Sequence, residues 1–202
     1  AGIIFISAYL QATGKMESKM HKNIFIGKNI RLVAMESARD AEISASWGRN
    51  SAYARLLDSD PPRLWSKNQM KDWLEKKEKA ESFTEIEFMI CPLEAEKPIG
   101  FVGLDGIAWH HRTSWVGIGI GERDHWGKGY GTEAMQIISR YAFEELGLYR
   151  LNLNVFSSNT RAIRAYEKVG FKIEGTMREA LHRDNQRWDL VFMGLLKEDF
   201  NL

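Results

Sequence analysis

The fold of this chain is decided by two adjacent patterns near its middle. The first is an alternating run, Trp115-Val116-Gly117-Ile118-Gly119-Ile120, and the second is a glycine-rich loop, Trp126-Gly127-Lys128-Gly129-Tyr130-Gly131. Alternation at period two predicts a strand with valine and isoleucine on one face and glycines on the other, where bare backbone suits close approach of a ligand. The loop glycines turn successive amide N–H groups inward, ahead of a helix that begins near Thr132. Together these features predict an anion site, most naturally for phosphate.

The loop fits the common nucleotide-binding motifs poorly. A Walker loop requires glycine at position 122 and Ser or Thr at position 129, where this chain has Glu122 and Gly129. The dinucleotide fingerprint fits loosely from Gly129 onward, but it also requires an acidic residue about 20 residues further on. That region contains Asn152 and Asn154 instead. A nicotinamide-dependent oxidoreductase is therefore disfavoured.

A second pattern follows downstream, with the spacing Asn159-x-x-Ala162-x-x-x-Tyr166-x-x-x-Gly170-Phe171. The glycine loop resembles motif A of the GNAT superfamily of N-acetyltransferases, whose pattern is Gln/Arg-x-x-Gly-x-Gly/Ala, with Trp126 in its first position. The downstream pattern resembles the second signature of that superfamily. Glu174-Gly175 and Trp188-Asp189-Leu190 resemble the branch that contains ribosomal-protein N-terminal and spermidine acetyltransferases. The resemblance extends over residues 24–200.

The hydrophobic periodicity predicts the element order βααβββαβαββ. The resemblance implies the GNAT fold, an α/β (mixed α+β) chain with a central mixed, mostly antiparallel twisted sheet and helices on both faces. We expect residues 21–202 to form the N-acetyltransferase domain and residues 1–20 to be an N-terminal extension, either an added segment or an extra strand. The last two strands are predicted over residues 171–176 and 187–196, separated by a polar turn over residues 182–185.

The resemblance also implies a reaction, the transfer of an acetyl group from acetyl-CoA to a primary amine by direct attack. The CoA pyrophosphate would bind the loop amides, and the pantetheine arm would pair with the glycine strand as an added strand does. The cofactor-binding residues implied in this way are Ile118, Gly119, Ile120, Trp126, Gly127, Lys128, Gly129, Tyr130, Gly131, Thr132, Asn154, Asn159, Ala162 and Tyr166.

Three residues are the predicted catalytic set: Tyr166, Asn159 and Glu122. Tyr166 is the expected general acid, because a phenol with a pKa near 10 is protonated at neutral pH and can serve the departing thiolate; a packed core tyrosine is the alternative. Asn159 is expected to contact pantetheine, to cap a helix, or both. The base is less defined, since Trp115 stands where related sequences often carry Glu. Glu122 at the end of that strand is our choice, with Asp105 as the alternative.

One segment of the chain is the candidate for contact with the acceptor amine. The segment from Trp47 to Trp65 is predicted to lie outside the regular elements and to border the acceptor. Its Tyr53, Asp58, Asp60 and Trp65 could attract a cationic amine by charge and ring-face contacts. An α-amine with a pKa near 8 loses its proton more easily than a lysine near 10.4, which favours a protein or peptide N-terminus. A small-molecule amine, a surface loop that only covers the core, and a catalytically silent acyl-CoA sensor stay open as alternatives.

The composition narrows the classes of partner, ligand and cellular location that we expect. The 202 residues carry a net charge of +1, which argues against a nucleic-acid or membrane partner. The five histidines show no metal spacing, so no metal is expected, and the single cysteine excludes an internal disulfide. With no apolar run long enough to span a membrane, we expect a cytoplasmic protein that is a monomer or a homodimer.

Overall fold

The computed structural model describes residues 23–79 and 84–201, so the expectation for residues 1–20 lies outside the described chain. Within these ranges the elements follow one another as seven strands and five α-helices. They are β1 (Ile30–Ala34), α1 (Ser37–Trp47), α2 (Ser51–Leu57), α3 (Lys67–Lys79), β2 (Ile86–Pro92), β3 (Gly100–Ala108), β4 (Thr113–Ile120), α4 (Tyr130–Arg140), β5 (Arg150–Phe156), α5 (Thr160–Val169), β6 (Lys172–Arg183) and β7 (Gln186–Leu196).

The strands form one sheet in the order β1-β2-β3-β4-β5-β7-β6. Every neighbouring pair is antiparallel except β4 and β5, which run parallel. The β4–β5 ladder joins only residues 113–115 to residues 150–152. Beyond that point β4 stays paired with β3 as far as Ile120, and β5 stays paired with β7 as far as Phe156. The two central strands therefore diverge, and a gap opens in the middle of the sheet.

Helices cover both faces of the sheet, as the strand alternation requires. On β3, Val102 packs in the larger core cluster with Ile138 of α4. Its neighbour Phe101 points to the opposite face and packs against a smaller cluster that contains Trp47 of α1 and Tyr53 of α2. The predicted fold class, a mixed and mostly antiparallel sheet between two layers of helices, is confirmed.

The segment predicted to be an irregular acceptor loop contains a helix. Asn50 precedes α2, and its side-chain Oδ1 accepts the backbone N–H groups of Ala52 at 3.1 Å and Tyr53 at 3.4 Å. This is the bonding of an N-cap, which satisfies amides that the first helical turn leaves free. The expectation that residues 47–65 lie outside the regular elements is therefore wrong for residues 51–57. Apart from this added helix, the predicted element order is confirmed.

The final hairpin is longer than the sequence pattern indicates. Strand β6 continues to Arg183, which pairs with Gln186 at the start of β7. The turn between them consists of Asp184 and Asn185, whose φ angles are 53° and 56°. Two successive residues with positive φ make a two-residue hairpin turn of the kind whose twist matches the flanking strands. The prediction that β6 ends near residue 176 is wrong, and the hairpin tip reaches the end of α2.

Candidate active site

A cleft of about 700 Å³ occupies the gap where β4 and β5 diverge. One wall comes from β4 and the glycine loop, and the other from the end of β5 and from α5. The cleft thereby connects the two faces of the sheet. Of the cofactor-binding residues predicted from the sequence, twelve line it: Ile118, Gly119, Ile120, Trp126, Gly127, Gly129, Gly131, Thr132, Asn154, Asn159, Ala162 and Tyr166.

The glycine loop has the geometry of an anion cradle. Gly127 and Gly129 have φ angles of 76° and 88°, a backbone conformation that favours glycine. Gly129 is the N-cap of α4, and no side chain caps the first amides of that helix. Those N–H groups are therefore available to a phosphate, and the helix dipole adds partial positive charge. The residues present thus fit the pyrophosphate of CoA.

Two residues of the predicted loop set lie elsewhere. Lys128 and Tyr130 are not among the residues that line the cleft. Tyr130 packs against the larger core cluster, and its ring centroid lies 5.6 Å from that of His125.

Trp126 anchors the glycine loop in addition to forming part of it. Its Nε1 donates to the carbonyl oxygen of Ile120 at 2.6 Å, which fixes the loop to the end of β4. The guanidinium carbon of Arg161 lies 4.0 Å from the centroid of the Trp126 ring, within the range of a cation–π contact. Arg161 also lines the cleft together with Arg164 and Lys168, all on α5. Sequence reasoning missed this cationic row, whose only signal was its spacing after Asn159.

Tyr166 lies on α5 and faces the cleft, with its ring half-buried against the larger core cluster. Burial raises the pKa of Tyr166 to about 12, and the positive charge of Arg161 opposes that shift in part. The phenol is therefore a proton donor throughout the neutral range. The ring centroid of Tyr166 lies 6.2 Å from that of Phe171, so this packing contact also fixes the position of the Tyr166 ring.

Asn159 is the N-cap of α5. Its Oδ1 accepts the backbone N–H of Ala162 at 3.3 Å, so the capping role predicted from sequence is confirmed. Because the cap engages Oδ1, the Nδ2 group is the part of Asn159 that can serve a ligand in the cleft. Asn154 is exposed on β5 and lines the same cleft.

The carboxylates are arranged differently from the prediction. Glu122 is not among the cleft-lining residues; its Oε1 accepts from Trp47 Nε1 at 3.3 Å and lies 3.6 Å from Lys97 Nζ. Asp105 on β3 does line the cleft, and it is the only carboxylate among the described lining residues. Its Oδ1 accepts the backbone N–H of Gly106 at 2.7 Å. The geometry therefore favours Asp105 over Glu122 as the group near an attacking amine.

The acidic pair Asp58 and Asp60 is exposed and lies outside the lining of the cleft. Their backbone carbonyl oxygens, with that of Arg55, accept N–H groups of Arg183 at the tip of the β6–β7 hairpin. Asp184 adds an ion pair to Arg55. The hairpin thus holds the segment after α2. Within the predicted acceptor region, α2 itself reaches the cleft, through Tyr53, Leu56 and Leu57.

Among residues 23–79 and 84–201 there is no group of three or more His, Cys, Asp or Glu side chains that could hold a metal ion. No helix in the same ranges is long and apolar enough to cross a membrane.

Comparison with known proteins agrees with the fold. The acetyltransferase (GNAT) domain family matches residues 29–172. An uncharacterized N-acetyltransferase p20 of Bacillus licheniformis is 31% identical over 56% of this chain and 63% of its own length. The probable N-acetyltransferase YjcK of Bacillus subtilis is 32% identical over 65% of this chain and 72% of its own length.

Two more distant relatives have named substrates. Spermidine N(1)-acetyltransferase of Escherichia coli strain K12 is 26% identical over 82% of this chain and 91% of its own length. The crystal structure of spermidine N-acetyltransferase from Vibrio cholerae, in complex with CoA and spermine, superposes with a TM-score of 0.74 at 24% identity, covering 84% of this chain and 96% of that one. At that identity the superposition establishes the fold alone. The chain belongs to the GNAT family of acetyltransferases, and its reaction class is the transfer of an acetyl group from acetyl-CoA to an amine.

Proposed function

We propose that this protein acetylates α-amines, such as the N-terminus of a peptide or protein, with acetyl-CoA as the donor. The observation that carries the proposal is the cleft between β4 and β5, which brings the glycine loop, Tyr166 and the carboxylate of Asp105 around one opening. An anion cradle, a neutral acid and a single carboxylate are the groups that this transfer needs. Fold alone would not support the assignment, because one fold hosts many chemistries.

The donor is positioned by backbone groups and by the cationic row on α5. The amides of the glycine loop face the pyrophosphate, and the charges of Arg161, Arg164 and Lys168 line the same cleft. The unpaired edge of β4 beyond Trp115 offers backbone groups along which the pantetheine arm can lie as an added strand. Binding in this way holds the thioester near Tyr166, which turns a bimolecular encounter into an oriented one.

The transfer itself is a direct attack. The neutral amine forms the new C–N bond at the thioester carbonyl, and the C–S bond breaks. Tyr166 donates its proton to the departing sulfur, because a phenol with a pKa near 12 remains protonated at the pH where an amine is free. The proton lost by the amine passes to Asp105, directly or through water. We do not assign this step to Glu122, whose carboxylate faces Trp47 and Lys97.

The preference for an α-amine follows from the weakness of the available base. An α-amino group has a pKa near 8 and a lysine side chain has one near 10.4, so near pH 8 about half of the first but under 1% of the second is neutral. One carboxylate at the mouth of a cleft does little to change that ratio. We further propose a cytoplasmic protein, since Cys91 is a free and buried thiol. We also propose that the protein is a monomer or a homodimer.

The test is turnover with a panel of amines at fixed acetyl-CoA, following thiol release. The panel contains peptides with a free N-terminus, the same peptides with a blocked N-terminus and an internal lysine, spermidine, and an aminoglycoside. We expect acetylation of the free α-amines and little of the blocked, lysine-containing peptides. A protein that binds CoA but acetylates none of the panel would be an acyl-CoA sensor instead, and selective lysine or spermidine acetylation would overturn the α-amine assignment.

A further inference from the structure

The strand register builds a recess on the face of the sheet that carries α1 and α2. In the β3–β4 ladder, Gly103 lies opposite Gly117. The open floor of the recess is the backbone of Gly117, because Glu87 covers Gly103, where an added Cβ would lie 3.3 Å from Glu87 Cγ. A Cβ added at Gly117 would meet no atom within 4 Å, which shows that the space above it is open. The floor lies beside the gap between β4 and β5. A group bound here therefore faces the cleft from the side opposite α5 and Tyr166.

One wall of the recess comes from α2 and β3 and is apolar except for the hydroxyl of Tyr53. Three side chains converge on the next glycine of β4: a Cβ added at Gly119 would lie 2.7 Å from Tyr53 Oη, 2.8 Å from Phe101 Cε1 and 3.2 Å from Leu57 Cδ1. Leu57 is nevertheless 43% exposed, so it stands at the rim with its side chain towards the opening. Burial raises the pKa of Tyr53, with a further contribution from the charge of Glu87, and the hydroxyl stays neutral.

The other wall contains one charge and one large ring. Asp105 and Trp115 are opposite each other in the ladder, two pairs beyond the two glycines and on the same face of the sheet. Trp115 is 42% exposed, and its ring is backed by Phe192 at 6.4 Å between centroids. Large exposed apolar side chains around an opening are typical of a binding surface.

The next carboxylate on this face is already neutralised. Glu87 lies opposite Gly103 in the β2–β3 ladder, and Lys77 of α3 forms an ion pair with it. Asp105 is therefore the one carboxylate that the described cleft residues offer to a cation. A single ammonium group matches that arrangement, whereas each further ammonium of a polyamine would lose water against a largely apolar wall that offers no second carboxylate.

We infer that this recess is the acceptor site and that it selects α-amines whose first residue carries a bulky apolar side chain, in preference to polyamines. The inference rests on the proposed function. The ammonium or amine lies near Asp105 and the gap, the first side chain lies over Gly117, and the rim of Leu57 and Trp115 removes it from water. This specificity differs from that named for the spermidine acetyltransferases to which the chain is similar.

The experiment compares kcat/KM for tetrapeptides that differ only in the first residue, Gly, Ala, Leu or Phe, and for spermidine. We expect the Leu and Phe peptides to exceed the Gly peptide by about tenfold or more, the discrimination an apolar pocket gives for a few carbons. Equal values for all four peptides would overturn the inference while leaving the proposed function intact. Acetylation of spermidine alone would overturn both.

A charge variant with a matched control separates the recess from a general surface effect. Leu57→Glu places a second carboxylate at the rim, and we expect it to lower kcat/KM for the Leu peptide and raise it for spermidine. Leu64→Glu is the control, because Leu64 is 79% exposed and is not a cleft-lining residue. The KM for acetyl-CoA and the rise in Tm on CoA addition should be unchanged in both, which verifies folding. Equal responses of the two variants would overturn the assignment of the recess.

Discussion

Removing the hydroxyl of Tyr166 is the most direct test of the proposed chemistry. Tyr166→Phe keeps the ring that packs against Phe171 and the larger core, and removes only the proton donor. A pKa of about 12 means that at pH 8 roughly one molecule in 10⁴ has lost this proton, so the acid is in its working form throughout the assay range. In the variant the departing thiolate has no proton donor, while the loop that binds acetyl-CoA is unchanged.

The expected loss is about 10²-fold in kcat, the lower part of the range for general acid catalysis, which corresponds to about 2.7 kcal/mol of transition-state free energy. The assay is thiol release at saturating acetyl-CoA and peptide between pH 6 and pH 9. The rising limb of the pH profile belongs to the amine and should keep its midpoint near pH 8 in both proteins. The KM for acetyl-CoA should change little.

Tyr141→Phe is the matched control for this substitution. Tyr141 packs against Phe25 and Phe88, with ring centroids 5.4 Å and 5.7 Å away, and burial raises its pKa as well. It is not a cleft-lining residue, so its loss should leave kcat unchanged. Equal kcat for Tyr166→Phe and the wild type across the whole pH range would show that Tyr166 is a packing residue and would refute the mechanism.

Three further predictions concern the loop and the stability of the fold. Gly129→Glu forces a side chain into a left-handed φ of 88° and brings a negative charge to the phosphate position, so CoA should no longer raise the Tm; an undiminished CoA response in the folded variant would contradict the loop assignment. Gly121→Ala places a Cβ 2.1 Å from the ring of Trp47, and we expect a loss of about 1–3 kcal/mol in the free energy of unfolding, seen as a Tm lower by several degrees. Gly175→Ala is its control, because no atom lies within 4 Å of the added Cβ, and equal Tm values for the two variants would contradict the packing. Asp40→Ala removes a fully buried carboxylate that accepts three N–H groups near the start of α1, and urea unfolding should show a loss of about 2–3 kcal/mol; a change below 0.5 kcal/mol would show that the charge is not needed for folding.

Several features could be predicted from the sequence because they depend on neighbours along the chain. Alternation specified β4, the Asn159 cap and the glycine at position 170 bounded α5, and the spacing of glycines specified the loop before α4. The helix α2 was missed although Asn50 is a good cap, because the turn-forming residues after Leu57 dominated the segment. The length of β6 was missed because it is an exposed edge strand without an apolar face to mark it.

The sequence by itself predicted the order of the elements, the glycine loop before α4 and Tyr166 as the candidate acid, since each of these depends on a local pattern with a fixed period or spacing. The tertiary structure alone decided which groups meet across the sheet. Register places Gly103 opposite Gly117, divergence of β4 from β5 opens the cleft, and packing of α1 holds Glu122 against Trp47 while Asp105 faces the opening. These contacts join residues distant along the chain, and a shift of one residue in the β3–β4 register would break the Gly103–Gly117 pair and turn the side chains of one strand to the other face.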